Sequence, residues 1–223
     1  HRHKHQRHQQ QQATPGPQRP AARGLPHFGA ERRIATDLNR QGYAVIDFPD
    51  PAIDARCERV KSALAPRFGI DLEDPSTFKA RGNQRIQDAW KFDADVKSIA
   101  INSEILDLLG KLYGRRAIPF QTLNFPVGTE QHMHSDSVHF SSLPERFMCG
   151  VWLAMEDIHP EAGPLNYCPG SQRWPIINNL MLERQRFGDQ SEPAQGPYEP
   201  VWRSIIEGQQ ASTETFLARK GQA

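Results

Sequence analysis

The chain has 223 residues, 37% of them hydrophobic, with 27 Lys and Arg against 26 Asp and Glu for a net charge of +1. That balance supplies no field for steering nucleic acid or acidic partners, and no apolar run reaches the roughly 20 residues of a membrane span or forms the core of a secretory signal. One sizeable core is affordable at this length, so a single soluble domain is expected. Cys57, Cys149 and Cys168 are odd in number, widely spaced and set among apolar residues, as reduced thiols of a cytoplasmic protein would be.

Residues 1–30 differ from the rest. His1, His3, His5 and His8 alternate with basic and Gln residues, a Gln run follows, and Pro and Ala lead to Gly24. Such a segment buries too little to offset its ordering entropy, so a disordered low-complexity tail is expected before a domain over 31–223. Ile34 and Leu38 lie one helical turn apart and Gly42 stands ready to stop that helix. Tyr43 to Phe48 reads as a strand. Asp50-Pro51 is a helix start, with Asp as N-cap and Pro in the first turn, and Ile53, Cys57, Val60 and Leu64 form its buried stripe. A third helix is capped by Asn102 or Ser103, presents Ile105, Leu108, Leu109 and Leu112 on one face, and ends at Gly114.

Beyond it the pattern turns to strands. Ile118 to Phe125, His132 to Phe140, Phe147 to Met155 and Leu165 to Cys168 are short β-type runs separated by Pro- and Gly-containing turns. The run from Phe147 to Met155 is apolar without alternation, which predicts a strand covered on both faces. Short strands after helices suggest a sandwich or open barrel buttressed by helices on one side.

The segment Gln131-His132-Met133-His134-Ser135-Asp136 carries the chemistry. On a strand, His134 and Asp136 leave the same face about 7 Å apart and can converge on one metal ion. Two His and one carboxylate form the facial triad of non-haem Fe(II) oxygenases, so this pair supplies two of three ligands. His132 shares their face, but along a regular strand it lies about 13 Å from Asp136, whereas ligands of one ion sit within about 4 Å of each other. His139 and His159 lie in loops with no strand returning them to the site.

With Gly128, Gln131, His134 and Asp136 on one side and the run from Glu156 to Gln172, EDIHPEAGPLNYCPGSQ, on the other, the chain resembles the phytanoyl-CoA dioxygenase family of Fe(II)/2-oxoglutarate-dependent oxygenases from about Arg33 onward. The resemblance implies a double-stranded β-helix, that is a jelly-roll or cupin-like barrel with supporting N-terminal helices. It implies a metal site at His134 and Asp136, Fe(II) as cofactor, and 2-oxoglutarate and O2 as co-substrates. Gln121 and Trp152 fall where similar proteins line the 2-oxoglutarate pocket, one as a donor to a carboxylate oxygen and the other as an apolar wall with an N–H. Arg85 is a further candidate for a co-substrate carboxylate, and Asn166 for the pocket rim. The implied reaction is hydroxylation of an unactivated C–H bond of a small molecule, with release of succinate and CO2; a carboxylate at Asp136 fills the position that halogenases leave open for halide.

Members of the family place a distal His, and an Arg for the far carboxylate of 2-oxoglutarate, beyond a segment similar to Phe216–Ala223. No His follows His159. The resemblance therefore implies C-terminal strands and a third ligand past Ala223, and little turnover by residues 1–223 alone. A non-catalytic jelly-roll protein binding a metal or small ligand is the alternative. A nucleic-acid binder using the basic tail has few charges and no interleaved aromatics. Neither the substrate nor the oligomeric state is encoded legibly; loops around 69–90 and 175–200 are expected to select the substrate.

Overall fold

Helices of the N-terminal half follow their sequence signals. The computed structural model describes residues 27–78, 84–129, 131–140, 142–183 and 195–223; most of the expected tail lies outside these residues. Helix α1 spans His27–Gln41 and stops at Gly42, whose φ is +86°. The turn after Cys168 closes its end. Gly170 N donates to Gln41 O at 2.9 Å, Gln172 Nε2 to Asn39 O at 2.9 Å, and Arg173 to the same carbonyl at 2.7 Å, satisfying carbonyls that a helix terminus leaves free. A Cβ on Gly42 would sit 2.6 Å from Gln172 Oε1, so the glycine is needed for both conformation and room.

Helix α2 spans Ile53–Leu64 and starts later than Asp50-Pro51 predicts. Asp50 instead accepts from Ala52 N at 2.8 Å in a preceding turn, with its other oxygen drawn to Arg56 at 2.8 Å. Cys57, Val60 and Leu64 are buried as expected. Helix α3, Ala94–Ala100, is an element the sequence reading lacks; Asp93 caps it by accepting from Val96 N at 2.8 Å. Helix α4, Ser103–Tyr113, is capped by Asn102 through Ile105 N at 3.0 Å and ends at Gly114, φ +63°. The core packs between these elements: Val60, Leu64, Ala89 and Val96 are buried together, with Phe68, Ile86, Trp90, Ile99 and Met155 against them. Asp95 ties α2 to α3, accepting from Arg56 at 2.5 Å and Arg59 at 2.7 Å.

The strands are shorter than expected. β1 (Ile86–Gln87) pairs antiparallel with β2 (Leu123–Asn124), Ile86 opposite Asn124; β3 (Leu165–Tyr167) pairs antiparallel with β4 (Glu214–Phe216), Leu165 opposite Phe216. The result is mixed helix and small sheets, and among the described residues no barrel closes. The expected strand at Ile118 to Phe125 shrinks to β2. The run from Phe147 to Met155 forms no strand: its backbone is bonded to the C-terminal segment at Ala154, and Phe147, Val151 and Trp152 remain 40%, 45% and 37% exposed rather than covered on both faces. Tyr43 to Phe48 likewise is no named strand, although Ile46 N donates to Ala223 O at 2.9 Å, Ala223 N to Ile46 O at 2.9 Å and Phe48 N to Gly221 O at 2.8 Å. Gly221 N and Ala154 O meet at 2.9 Å on the other side, and Lys220 reaches Glu58 of α2 at 2.5 Å, so residues 220–223 clip three parts of the chain together.

Helix α5, Glu199–Gly208, opens with Pro200 in its first turn and buries Trp202. All three cysteines are free thiols. No helix among the described residues is long and apolar enough to cross a membrane.

Candidate metal centre

Two glycines bring the motif blocks together. Gly128, in the turn before the His-x-Asp segment, crosses Gly163 so closely that a Cβ on Gly128 would lie 2.7 Å from Gly163 O, 2.8 Å from Gly163 Cα and 2.9 Å from Ala162 O. Gly163 itself has φ +73°. The crossing seats the loop that carries His134 on the turn that leads into β3.

The His-x-Asp segment is not a strand, which corrects the expected placement. Asp136 opens a single 3-10 turn, Asp136–Val138, with Ser135 as its N-cap, and His134 lies in the preceding loop. Ser135 Oγ accepts from Ser137 N at 3.4 Å and meets Ser137 Oγ at 2.8 Å. These local side-chain bonds offer the backbone an alternative to a β-ladder. The turn brings the two candidate ligands nearer than strand geometry would: His134 Nε2 lies 3.3 Å from Asp136 Oδ1.

The imidazole is oriented from behind. His134 Nδ1 donates to the carbonyl of His132 at 2.7 Å, which leaves the Nε2 lone pair of the neutral ring facing the carboxylate. Without a metal, that approach favours a proton between them. The bond that protonated His134 donates to Asp136 raises the His134 pKa against the opposing effect of burial, and the same bond lowers that of Asp136. Two donors each about 2.1 Å from one ion and at right angles to each other would be about 3 Å apart, so the observed separation suits neighbouring positions on one metal. The His134 side chain is 20% exposed and that of Asp136 60%, so the pair opens to solvent on the Asp136 side. Among the described residues no third His, Cys, Asp or Glu completes a group able to hold a metal.

His139 comes alongside, its ring centroid 6.3 Å from that of His134, but its Nε2 is engaged by Gln195 Nε2 at 2.9 Å. Burial chiefly, then the neighbouring His134, lowers its pKa, and the charge of Arg85 acts in the same direction. Arg85 itself is exposed. His159 turns to its own loop, where its Nδ1 accepts from Glu161 N at 3.3 Å.

Of the other predicted residues, Gln121 is half-buried just before β2. Trp152 packs its ring 6.1 Å from Phe216 of β4, and Asn166 accepts from Thr215 Oγ1 at 2.6 Å across β3 and β4. Two residues stand out that the sequence reading did not single out. Asn124, on β2, has a buried Oδ1 with no hydrogen-bond donor among the described residues. Trp202, on α5, lies with its ring centroid 6.3 Å from His134. Its signal was the Glu-Pro start of α5 and the spacing of Trp202, Ile205 and Ile206 before Gly208. An open groove of about 830 Å³ runs along α4, lined by Ile101, Leu106, Lys111, Arg115 and Ile118, and none of the predicted site residues lines it.

No significant match is found among curated proteins or among solved structures. The phytanoyl-CoA dioxygenase (PhyH) family profile matches residues 38–223, a span that takes in α2 through β4, the Gly128–Gly163 crossing and the His134–Asp136 pair. The chain therefore belongs to the phytanoyl-CoA dioxygenase family, whose members are dioxygenases that generally use Fe(II) and 2-oxoglutarate.

Proposed function

We propose that the chain is a 2-oxoglutarate-dependent hydroxylase of a small molecule, with His134 and Asp136 as ligands of Fe(II). The observation that carries this reading is the convergence of His134 Nε2 and Asp136 Oδ1 at 3.3 Å while His134 Nδ1 is held by the His132 carbonyl. When bound, Fe(II) would supply the centre at which 2-oxoglutarate and O2 react to provide the oxidising power for C–H cleavage, with succinate and CO2 as co-products. The chain's own residues orient and screen. The His132 carbonyl fixes the imidazole tautomer, and Asp136 would offset part of the metal charge, a carboxylate where halogenases leave room for halide.

Arg85 is our candidate for a carboxylate of 2-oxoglutarate, with Gln121 as a second donor and Trp152 as an apolar wall. In this reading β2, the His134 loop and β3 are parts of a jelly-roll barrel, and the setting is cytoplasmic. Among the described residues two donors converge, so succinate release is expected to be slow. A non-catalytic metal or ligand binder is the second reading, favoured by the lack of a third donor among the described residues.

Anaerobic addition of Fe(II) and 2-oxoglutarate tests the site through the visible charge-transfer absorption of the two together. The reading expects a band that His134→Ala and Asp136→Ala each abolish, and a band indifferent to both would overturn it. Succinate release under O2, however slow, that His134→Ala abolishes would favour the enzyme over the binder.

A further inference from the structure

We propose that helix α5 and its lead-in form a platform that positions the ligand loop, with Trp202 as the residue that fixes the His134 ring; this rests on the metal-site reading above. Three contacts join the two segments. Trp202 faces His134 at 6.3 Å between centroids with the planes tilted by 50°, inside the range of aromatic pairs. Gln195 engages His139 at 2.9 Å, and Glu199 Oε1 lies 3.6 Å from His132 Nδ1. Trp202 is in turn immobilised: it is buried, stacks on Tyr198 at 5.3 Å and 23°, and the Tyr198 hydroxyl donates to Asn179.

The His134 loop needs such support because it lacks a ladder. A ligand on a strand is oriented by its neighbours' hydrogen bonds, whereas His134 sits in a loop and its ring is held from behind by the bond to His132 O. One bond fixes the edge of an imidazole but leaves it free to rock about that edge. The indole limits this rocking and keeps Nε2 aimed at Asp136. Trp202 is a positioning residue, since it acts through His134.

Co(II) titration of the full chain, followed by its visible absorption, tests the proposal. Outer groups that orient metal ligands are commonly worth 10–100-fold in affinity. Trp202→Ala should weaken Co(II) binding about tenfold, while Trp202→Phe, which keeps a ring face, should stay within about threefold of the parent. Should the alanine variant fail to fold, Trp202→Leu carries the same expectation. Val60→Ala, a core truncation remote in sequence from the loop, should lower stability and leave Co(II) affinity unchanged. Parental affinity in Trp202→Ala or Trp202→Leu, or an equal loss in Val60→Ala, would overturn the positioning role. Co(II) binding that survives His134→Ala would instead overturn the site reading, and the positioning role with it.

Discussion

Replacing Gly128 by alanine should be among the most damaging single-methyl changes in the molecule. The added Cβ would lie 2.7 Å from Gly163 O, 2.8 Å from Gly163 Cα and 2.9 Å from Ala162 O, whereas ordinary contact begins at 3.4 Å. All three opposing atoms are backbone, so no side chain can rotate away, and the two loops must part by about 0.7 Å. Overpacking of this kind costs about 1–3 kcal/mol, and the rigidity of the obstacle places Gly128→Ala near the upper end. Urea unfolding of the two proteins measures the difference, and Co(II) titration should show weaker binding because the loop bearing His134 is displaced. Gly163→Ala meets Gly128 Cα at 3.0 Å and adds the left-handed penalty of φ +73°, about 1–2 kcal/mol. The double variant should lose less than the sum, since one separation of the loops relieves both clashes. A loss under about 0.5 kcal/mol for Gly128→Ala would refute the claim that this crossing is closely packed.

Asp136→Asn keeps the shape of the side chain but removes the anionic donor, and should weaken Co(II) binding by at least about a hundredfold, measured by the same titration. Asp95→Asn should destabilise the junction of α2 and α3 in a pH-dependent way. The hydrogen bond from Arg59, opposed by burial, holds the Asp95 carboxyl below the usual aspartate range. A carboxyl depressed on folding stabilises above its unfolded pKa and loses that contribution as the pH falls through its folded pKa. The parent's advantage, measured by urea unfolding, should therefore be full above about pH 5 and fade in more acidic solution. Val60→Ala removes two methyl groups from a side chain that is 1% exposed, and should cost about 2 kcal/mol by the same assay.

The helices were more legible than the strands. Asn102, Gly114, Gly42 and the stripe of Cys57, Val60 and Leu64 announce their elements because caps and helical periodicity are local. Asp93 was an equally local signal for α3, masked by the shortness of a helix with few apolar positions. Strand formation depends on partners far along the chain, and the backbone bonds that the runs at 43–48 and 147–155 make to distant segments, among the described residues, go to the few residues of the C-terminal clip. The identity of His134 and Asp136 as a pair could be read from their spacing, but their geometry could not. The hydroxyls of Ser135 and Ser137 make a turn out of the predicted strand, and that turn sets the 3.3 Å approach. Trp202 lies sixty-eight positions beyond His134, and no sequence periodicity connects them.

The clip at residues 220–223 has a consequence for biosynthesis. Ile46 and Phe48 take their backbone partners from Ala223 and Gly221, so a nascent chain leaving the ribosome exposes those groups until residues 221–223 have emerged. Helices α2, α3 and α4 close over nearby sequence and can form early, while the segment before α2 must wait. Contacts of such wide sequence separation slow the final step of folding and leave a half-made protein open to chaperones and to mispairing.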